Sequence, residues 1–171
     1  MLNEYTIGDS RELLKEVESN TVDLIYIDPP YCTGRDFYHF DDRFSSSADY
    51  RELLLRPLFE ECHRVLTDIG NIVIHVEAKI SHHVRIVLDD VFGEKRFKNE
   101  IVWVSGGNHK SKYQLQRNHD TIIVYQKGSE SIYNAEHKEY DADTVRKAKM
   151  CPVRKKKYNT SALVNRQPNV V

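Results

Sequence analysis

An α/β fold built on a parallel sheet is what this sequence predicts, and two features predict it. Apolar strand-like runs alternate with amphipathic helical stretches. One of those runs, Val22-Asp23-Leu24-Ile25-Tyr26-Ile27, ends in the rigid turn Asp28-Pro29-Pro30-Tyr31. Open α/β sheets bind ligands at the carboxyl ends of their strands, so that turn is the first place to look for chemistry. The 171 residues, 40% of them hydrophobic, suffice for one domain with a sizeable core.

Taken in order, Glu4 to Ile7 reads as a short strand and Ser10 to Glu18 as a helix. Val22 to Ile27 is short, apolar and β-branched, which suits a buried strand. A polar, aromatic-rich loop runs from Cys32 to Ala48. Asp49 to Leu66 follows as a helix with Leu53, Leu54, Leu58, Cys62 and Val65 on one face, and Pro57 within it predicts a kink or a break. Asn71 to Val76 is strand-like, Lys79 to Phe92 helical, and Glu100 to Val104 and Thr121 to Gln126 are strands.

Charged residues make up 30% of the chain and the formal net charge is −1, which excludes a uniformly basic nucleic-acid coat and leaves contact with such a partner to local patches. No signal peptide and no apolar run near ~18 residues is present, so neither secretion nor membrane insertion is suggested and a cytoplasmic location is expected. Cys32, Cys62 and Cys151 form an odd, widely spaced set with no C-x-x-C pair, which reads as free thiols.

Asp28-Pro29-Pro30-Tyr31 is the segment whose residue types dictate a chemistry. The exocyclic amine of adenine or cytosine is a poor nucleophile, because its lone pair is delocalised into the ring. An Asp28 carboxylate can accept a hydrogen bond from one N–H and a rigidly held backbone carbonyl, that of Pro29, from the other, pushing the nitrogen toward tetrahedral geometry. Consecutive prolines lock φ and hold the preceding residue extended, which aims those carbonyls in advance. Tyr31 offers a flat face on which an extruded base can rest, replacing roughly 1–3 kcal/mol of lost stacking. The bland reading is a strand that ends in a proline turn near a tyrosine. With Pro at about 5% of residues, four fixed residues recur by chance on the order of once in 10⁵ positions, which makes coincidence the weaker reading.

Asp23-Leu24-Ile25-Tyr26-Ile27-Asp28-Pro29-Pro30-Tyr31-Cys32-Thr33-Gly34-Arg35-Asp36-Phe37 resembles the amino-methyltransferases of restriction-modification systems, especially the adenine-specific, beta-group enzymes that include type III modification subunits. Their signature here is D-P-P-Y followed by an N-T-G-like turn, from which Cys32 departs. Ile7-Gly8-Asp9-Ser10 with Arg11-Glu12-Leu13-Leu14, Val91-Phe92-Gly93-Glu94 leading to Ile101-Val102-Trp103, and Asn118-His119-Asp120-Thr121-Ile122-Ile123-Val124-Tyr125-Gln126-Lys127 also match segments typical of the family. The resemblance implies a Rossmann-like, S-adenosylmethionine-dependent methyltransferase sheet and methylation of N6 of a flipped adenine in double-stranded DNA. It implies catalytic roles for Asp28, Pro29, Pro30 and Tyr31, cofactor contact at Asp9 and Asp28, S-adenosylmethionine as cofactor and no metal. Residues 1–130 correspond to the catalytic part and 131–171 to the start of a target-recognition segment.

Local features supply DNA-facing candidates. The loop after the tetrad carries Arg35, Phe37, Tyr38, His39, Phe40, Arg43 and Phe44, the mix of aromatics and cations that single-stranded or flipped bases require, although aromatics packing beneath a loop would look the same. Ser105-Gly106-Gly107-Asn108-His109-Lys110-Ser111-Lys112 reads either as a DNA-facing loop, with Lys110 and Lys112 on phosphate, or as a solvated hairpin loop. Arg146, Lys147, Lys149, Arg154, Lys155, Lys156 and Lys157 form a basic block suited to phosphate, or a solvated tail. His75, Glu77, His82 and His83 match no metal-ligand spacing, and His119-Asp120 opens a strand, which fits a strand-start role near the base pocket rather than metal phosphohydrolase chemistry.

One expected part is missing. A Gly-rich turn after a first strand lets backbone approach such a cofactor, and neither G-x-G nor F-x-G-x-G occurs. In the resembled enzymes that motif lies toward the C-terminus, so the sheet is expected to be incomplete, with a second chain or further segment supplying the motif. A strand at Glu4 to Ile7 then has no neighbour, and its unpaired backbone is costly. The expectation is weak or no S-adenosylmethionine binding by this chain alone. A restriction subunit is a further expected partner. The alternatives are a non-catalytic nucleic-acid-binding remnant of such an enzyme, and methylation of cytosine N4 or of RNA.

Overall fold

The structure is a computed structural model that describes residues 4–32, 44–104 and 118–134 in full, and the backbone alone of residues 36–37, 40–41, 148–150 and 157–159. The chain divides into two units, Met1–Tyr133 and Asn134–Val171.

The first unit is organised by a four-stranded sheet. β1 (Val22–Ile27) pairs in parallel with β4 (Leu66–Glu77), while β6 (His119–Gln126) lies antiparallel between β4 and β5 (Phe97–Val104). The sheet is therefore mixed, not parallel as the alternation of elements predicts. Helices separate β1 from β4 and β4 from β5, and these three strands run the same way. No helix is described between β5 and β6, and a chain that returns without a helical crossover pairs antiparallel. The short strands β2 (Asp36–Phe37) and β3 (Phe40–Asp41) pair with each other inside the loop that follows the tetrad.

Alternation along β4 decides the two faces. Ile72, Ile74 and Val76 are fully buried and join Ile123 and Tyr125 of β6 against α3 (Arg56–Val65) and α4 (Ser81–Phe92). The other face of the sheet is largely open: Leu24 and Tyr26 of β1 are 62% and 59% exposed, and Ile101 and Trp103 of β5 45% and 58%. β1 is therefore not the buried strand its apolar run predicts, because only one face of it is covered. α4 stops at Gly93, whose φ of +91° suits glycine and whose N–H returns to Asp89 O at 2.9 Å.

Several expected boundaries shift, each for a physical reason. Glu4 to Ile7 is not a strand, and Tyr5 and Ile7 are 88% and 85% exposed. An extended segment becomes a strand only where a neighbouring ladder takes its N–H and C=O groups. The helix expected over Ser10 to Glu18 is α1 (Ser10–Leu13) with a 3₁₀ turn at Leu14–Glu16. The Arg64 guanidinium takes Leu14 O at 2.7 Å and Val17 O at 3.0 Å, satisfying carbonyls that a longer helix would have used internally.

The helix expected over Asp49 to Leu66 comes as α2 (Ser47–Asp49), a π-helical stretch over Tyr50–Leu55, and α3, with Pro57 in the first turn of α3. Proline removes a donor and crowds the carbonyl four residues back, and widening the turn relieves that crowding. The extra residue per turn also rotates the buried stripe. Leu58, Cys62 and Val65 are buried as expected, but Leu53 is 62% exposed, and Tyr50 and Leu55 lie in the core.

Cys62 is buried and Cys32 half-buried, and neither is in a disulfide. Burial first, then the Glu61 charge, pushes the Cys62 thiol up to about 12. Cys151 lies outside the described residues. In the second unit the described structure is the antiparallel pair β7 (Ala148–Met150) and β8 (Lys157–Asn159). Among the described residues no helix is long and apolar enough to cross a membrane.

Candidate functional site

The tetrad begins where β1 ends. Ile27 pairs with Ile74 of β4, so Asp28 emerges level with His75 at the carboxyl end of the parallel pair. Pro29 is buried, Pro30 and Tyr31 are half-buried, and the Asp28 residue is exposed. The prolines thus wedge into the molecule while the carboxylate faces out.

Tyr31 and Asp28 are already in contact, with Tyr31 Oη donating to Asp28 Oδ1. Burial, that bond, and the charges of Asp28 and Asp120 all raise the Tyr31 pKa, so the phenol stays protonated and remains a donor. Behind the turn, Tyr50 Oη donates to Pro30 O at 2.7 Å. Cys32, next in line, sits at φ +54°, a conformation that Asn adopts far more readily.

Asp9 and Asp28 line the same cleft of about 770 Å³, together with Ile7, Pro30, Phe44 and Leu53. The volume falls within the usual range for small-molecule sites, about 300–1,000 Å³. Asp9 caps α1, accepting from Arg11 N at 2.9 Å, and its carboxylate is gripped by Arg11 Nε at 3.0 Å and Nη2 at 2.6 Å. Those bonds with Arg11 hold its carboxyl below the usual carboxylate range.

On the open face beside the tetrad, a polar row crosses three strands. Tyr26 Oη lies 3.1 Å from His75 Nδ1, and His75 Nε2 lies 3.4 Å from Asp120 Oδ2. In each pair the donor is set by the tautomer of the His75 ring. Asp120 stands at the start of β6, and its charge reaches Tyr31 of the tetrad. Among the described residues no group of three or more His, Cys, Asp and Glu could hold a metal ion.

Of the candidate DNA contacts, Arg35, Lys110, Lys112, Arg154, Lys155 and Lys156 lie outside the described residues, as do Tyr38, His39, Arg43, Gly106, Gly107, Arg146 and Lys147. Phe37 and Lys157 are placed by backbone only, in β2 and β8. Sequence reasoning missed Tyr50 and the joining of Tyr26 to His75. The alternation of β4 carried a signal for His75, which a count to the open face would have found. For Tyr50 no local signal exists.

This geometry has relatives. A family model described as DNA methylase, of the N6/N4 methyltransferase group, matches residues 22–168. The chain belongs to that family. Type II methyltransferase M.KpnI of Klebsiella pneumoniae is 35% identical over 132 residues, covering 71% of this chain and 31% of that protein. The type III restriction-modification enzyme EcoP15I Mod subunit of Escherichia coli is 27% identical over 157 residues, covering 73% of this chain and 24% of its own length. The chain spans about a third or less of these curated relatives. Among solved structures, the PvuII DNA methyltransferase, cytosine-N4-specific, shares the fold at a TM-score of 0.57 and 17% identity, over 96% of this chain and 55% of that one. A Thermus thermophilus chain assigned as a DNA modification methylase and complexed with S-adenosyl-L-methionine gives 0.52 at 17% identity, over 82% and 57%. The open-faced, four-stranded sheet is thus a Rossmann-like methyltransferase sheet in part.

Proposed function

We propose that this chain is the catalytic part of a restriction-modification DNA methyltransferase that moves a methyl group from S-adenosylmethionine to N6 of adenine. The observation that carries the proposal is the rigid Asp28-Pro29-Pro30-Tyr31 turn at the end of β1, opening on a cleft shared with Asp9. In this reading the Asp28 carboxylate and the Pro29 carbonyl accept the two N–H bonds of the amine, and the Tyr31 ring carries the flipped base. Asp28 then receives the proton that the methylated nitrogen sheds. The bound S-adenosylmethionine supplies the electrophilic methyl group.

The cleft fits that cofactor in part. Its volume is ample, and the Ile7, Phe44 and Leu53 side chains offer apolar walls for a purine beside Asp9 and Asp28. The Asp9 carboxylate is engaged by Arg11, so contact with a cofactor has to share it. No Gly-rich turn occurs in the sequence to receive the methionine end. That part comes, in this proposal, from a further segment or a second chain, which would cover the open face at Leu24, Tyr26, Ile101 and Trp103 and pair with the edge of β1. Residues 1–130 are then the catalytic part and 131–171 the start of target recognition, with Arg35, Phe37, Lys110, Lys112, Arg154, Lys155, Lys156 and Lys157 on double-stranded DNA. The likeness to type III Mod subunits supports a restriction subunit as partner.

Adenine is favoured by Asp28 itself, since cytosine enzymes of this kind often carry Ser there. It is favoured also by the 31% identity over 99 residues with DNA adenine methyltransferase YhdJ of Escherichia coli. Nucleoside mass spectrometry of DNA and RNA from cells expressing the full gene tests the choice. N6-methyldeoxyadenosine supports the proposal, and N4-methyldeoxycytidine alone, or methylation confined to RNA, refutes it. The reading as a non-catalytic binding remnant draws on the missing Gly-rich turn, and predicts DNA binding with no methyl mark.

A further inference from the structure

We propose that Tyr50 is a positioning residue for this reaction, its hydroxyl holding the peptide plane that joins Pro30 to Tyr31. The inference rests on the methyltransferase reading above and adds a residue to it.

The tetrad is poor in donors of its own. Pro29 and Pro30 have no N–H, so the turn cannot brace itself through them and its carbonyls depend on donors from elsewhere. The Pro30 carbonyl finds one at 2.7 Å in Tyr50 Oη, 20 residues along the chain. That carbonyl lies in the peptide plane leading directly into Tyr31. Fixing the plane sets the direction in which the Tyr31 ring leaves the backbone, and so the slope of the surface on which a base would rest. In the reading above the amine is met by the Asp28 carboxylate, whose Oδ1 also accepts from Tyr31 Oη, and by Pro29 O.

Tyr50 is built to hold still. It is 0% exposed, its ring meets Phe44 edge-on with centroids 5.1 Å apart, and it opens the π-helical stretch whose Leu53 carbonyl is tied to Arg11. A buried hydroxyl is costly unless hydrogen-bonded, so packing alone would be better served by Phe at this position.

The test uses the enzyme expressed from its full gene, with Tyr50→Phe compared with wild type in steady-state methyl transfer. Expected are a kcat lower by about tenfold or more, KM values for DNA and S-adenosylmethionine within about twofold, and little change in melting temperature. A merely structural tyrosine would lower the melting temperature and leave kcat alone, which overturns the proposal. Placing 4-aminophenylalanine at position 50 restores a donor and should restore kcat, whereas 4-fluorophenylalanine should not. That pair decides the matter even if Tyr50→Phe folds poorly, and equal turnover by the two overturns the proposal. A wild type that transfers no methyl group overturns the methyltransferase reading and this inference with it; an active wild type matched by Tyr50→Phe overturns this inference alone.

Discussion

Arg11 Nη1 donates to the Leu53 carbonyl at 2.9 Å, the carbonyl that a residue other than Pro57 would have served in an α-helix. The same guanidinium clamps Asp9, so one side chain joins the cap of α1 to the widened π-helical turn and to one wall of the cleft. Arg11→Ala should cost about 1–2 kcal/mol in urea unfolding, and Arg11→Lys should recover only part, because an ammonium lacks the planar fork that reaches both partners. Equal stability of Arg11→Ala and wild type would remove Arg11 from this role.

Tyr31 Oη bonded to Asp28 Oδ1 makes a distinction between ring and hydroxyl. If the ring is the platform, Tyr31→Phe keeps most methyl transfer and Tyr31→Ala loses about 1–3 kcal/mol of base stacking, or roughly fivefold to 160-fold. Transfer by Tyr31→Ala at the rate of wild type contradicts the platform role.

His63 packs edge-on against Phe92 at 5.0 Å, and burial first, then Lys127, lowers its pKa. His83 is lowered as well, by burial first and then by His82 and Arg51. A histidine with its folded pKa depressed adds stability that is full above the unfolded value, about 6.5, and is lost as pH falls through the folded value. The urea midpoint should therefore drop between about pH 7 and pH 5, and His63→Gln should flatten that drop. A wild-type midpoint that rises on acidification over this window would reverse the sign and contradict the assignment.

Cys32 at φ +54° carries a strain that Asn bears more easily and Gly not at all. Cys32→Asn is expected to raise stability by about 0.5–1 kcal/mol in denaturant unfolding. A loss of stability would show that a contact of the Cys32 side chain outweighs its backbone strain.

β1, its tetrad and α4 were legible in the sequence because each is a short, strongly patterned run bounded by Pro or Gly. The break at Pro57 was legible too, but the π-helical turn ahead of it was not, since it is completed by Arg11, 42 residues away from Leu53. Strand direction is absent from local pattern, which is why β6 between β4 and β5 was unforeseen. At the site, Asp28 and Asp9 could be picked out by residue type and family signature, and the structure lines one cleft with both. Tyr50 could not, because a tyrosine in an amphipathic helix reads as core, and only the fold brings its hydroxyl to Pro30.

The central claim is that the Asp28 carboxylate, aimed by the two prolines, activates an exocyclic amine for methyl transfer. Tritiated-methyl transfer from S-adenosylmethionine to DNA, by the enzyme expressed from its full gene, tests it most directly when wild type is set beside Asp28→Ala. Label in DNA with wild type and none above background with Asp28→Ala is the predicted result; undiminished transfer by a folded Asp28→Ala protein would contradict it.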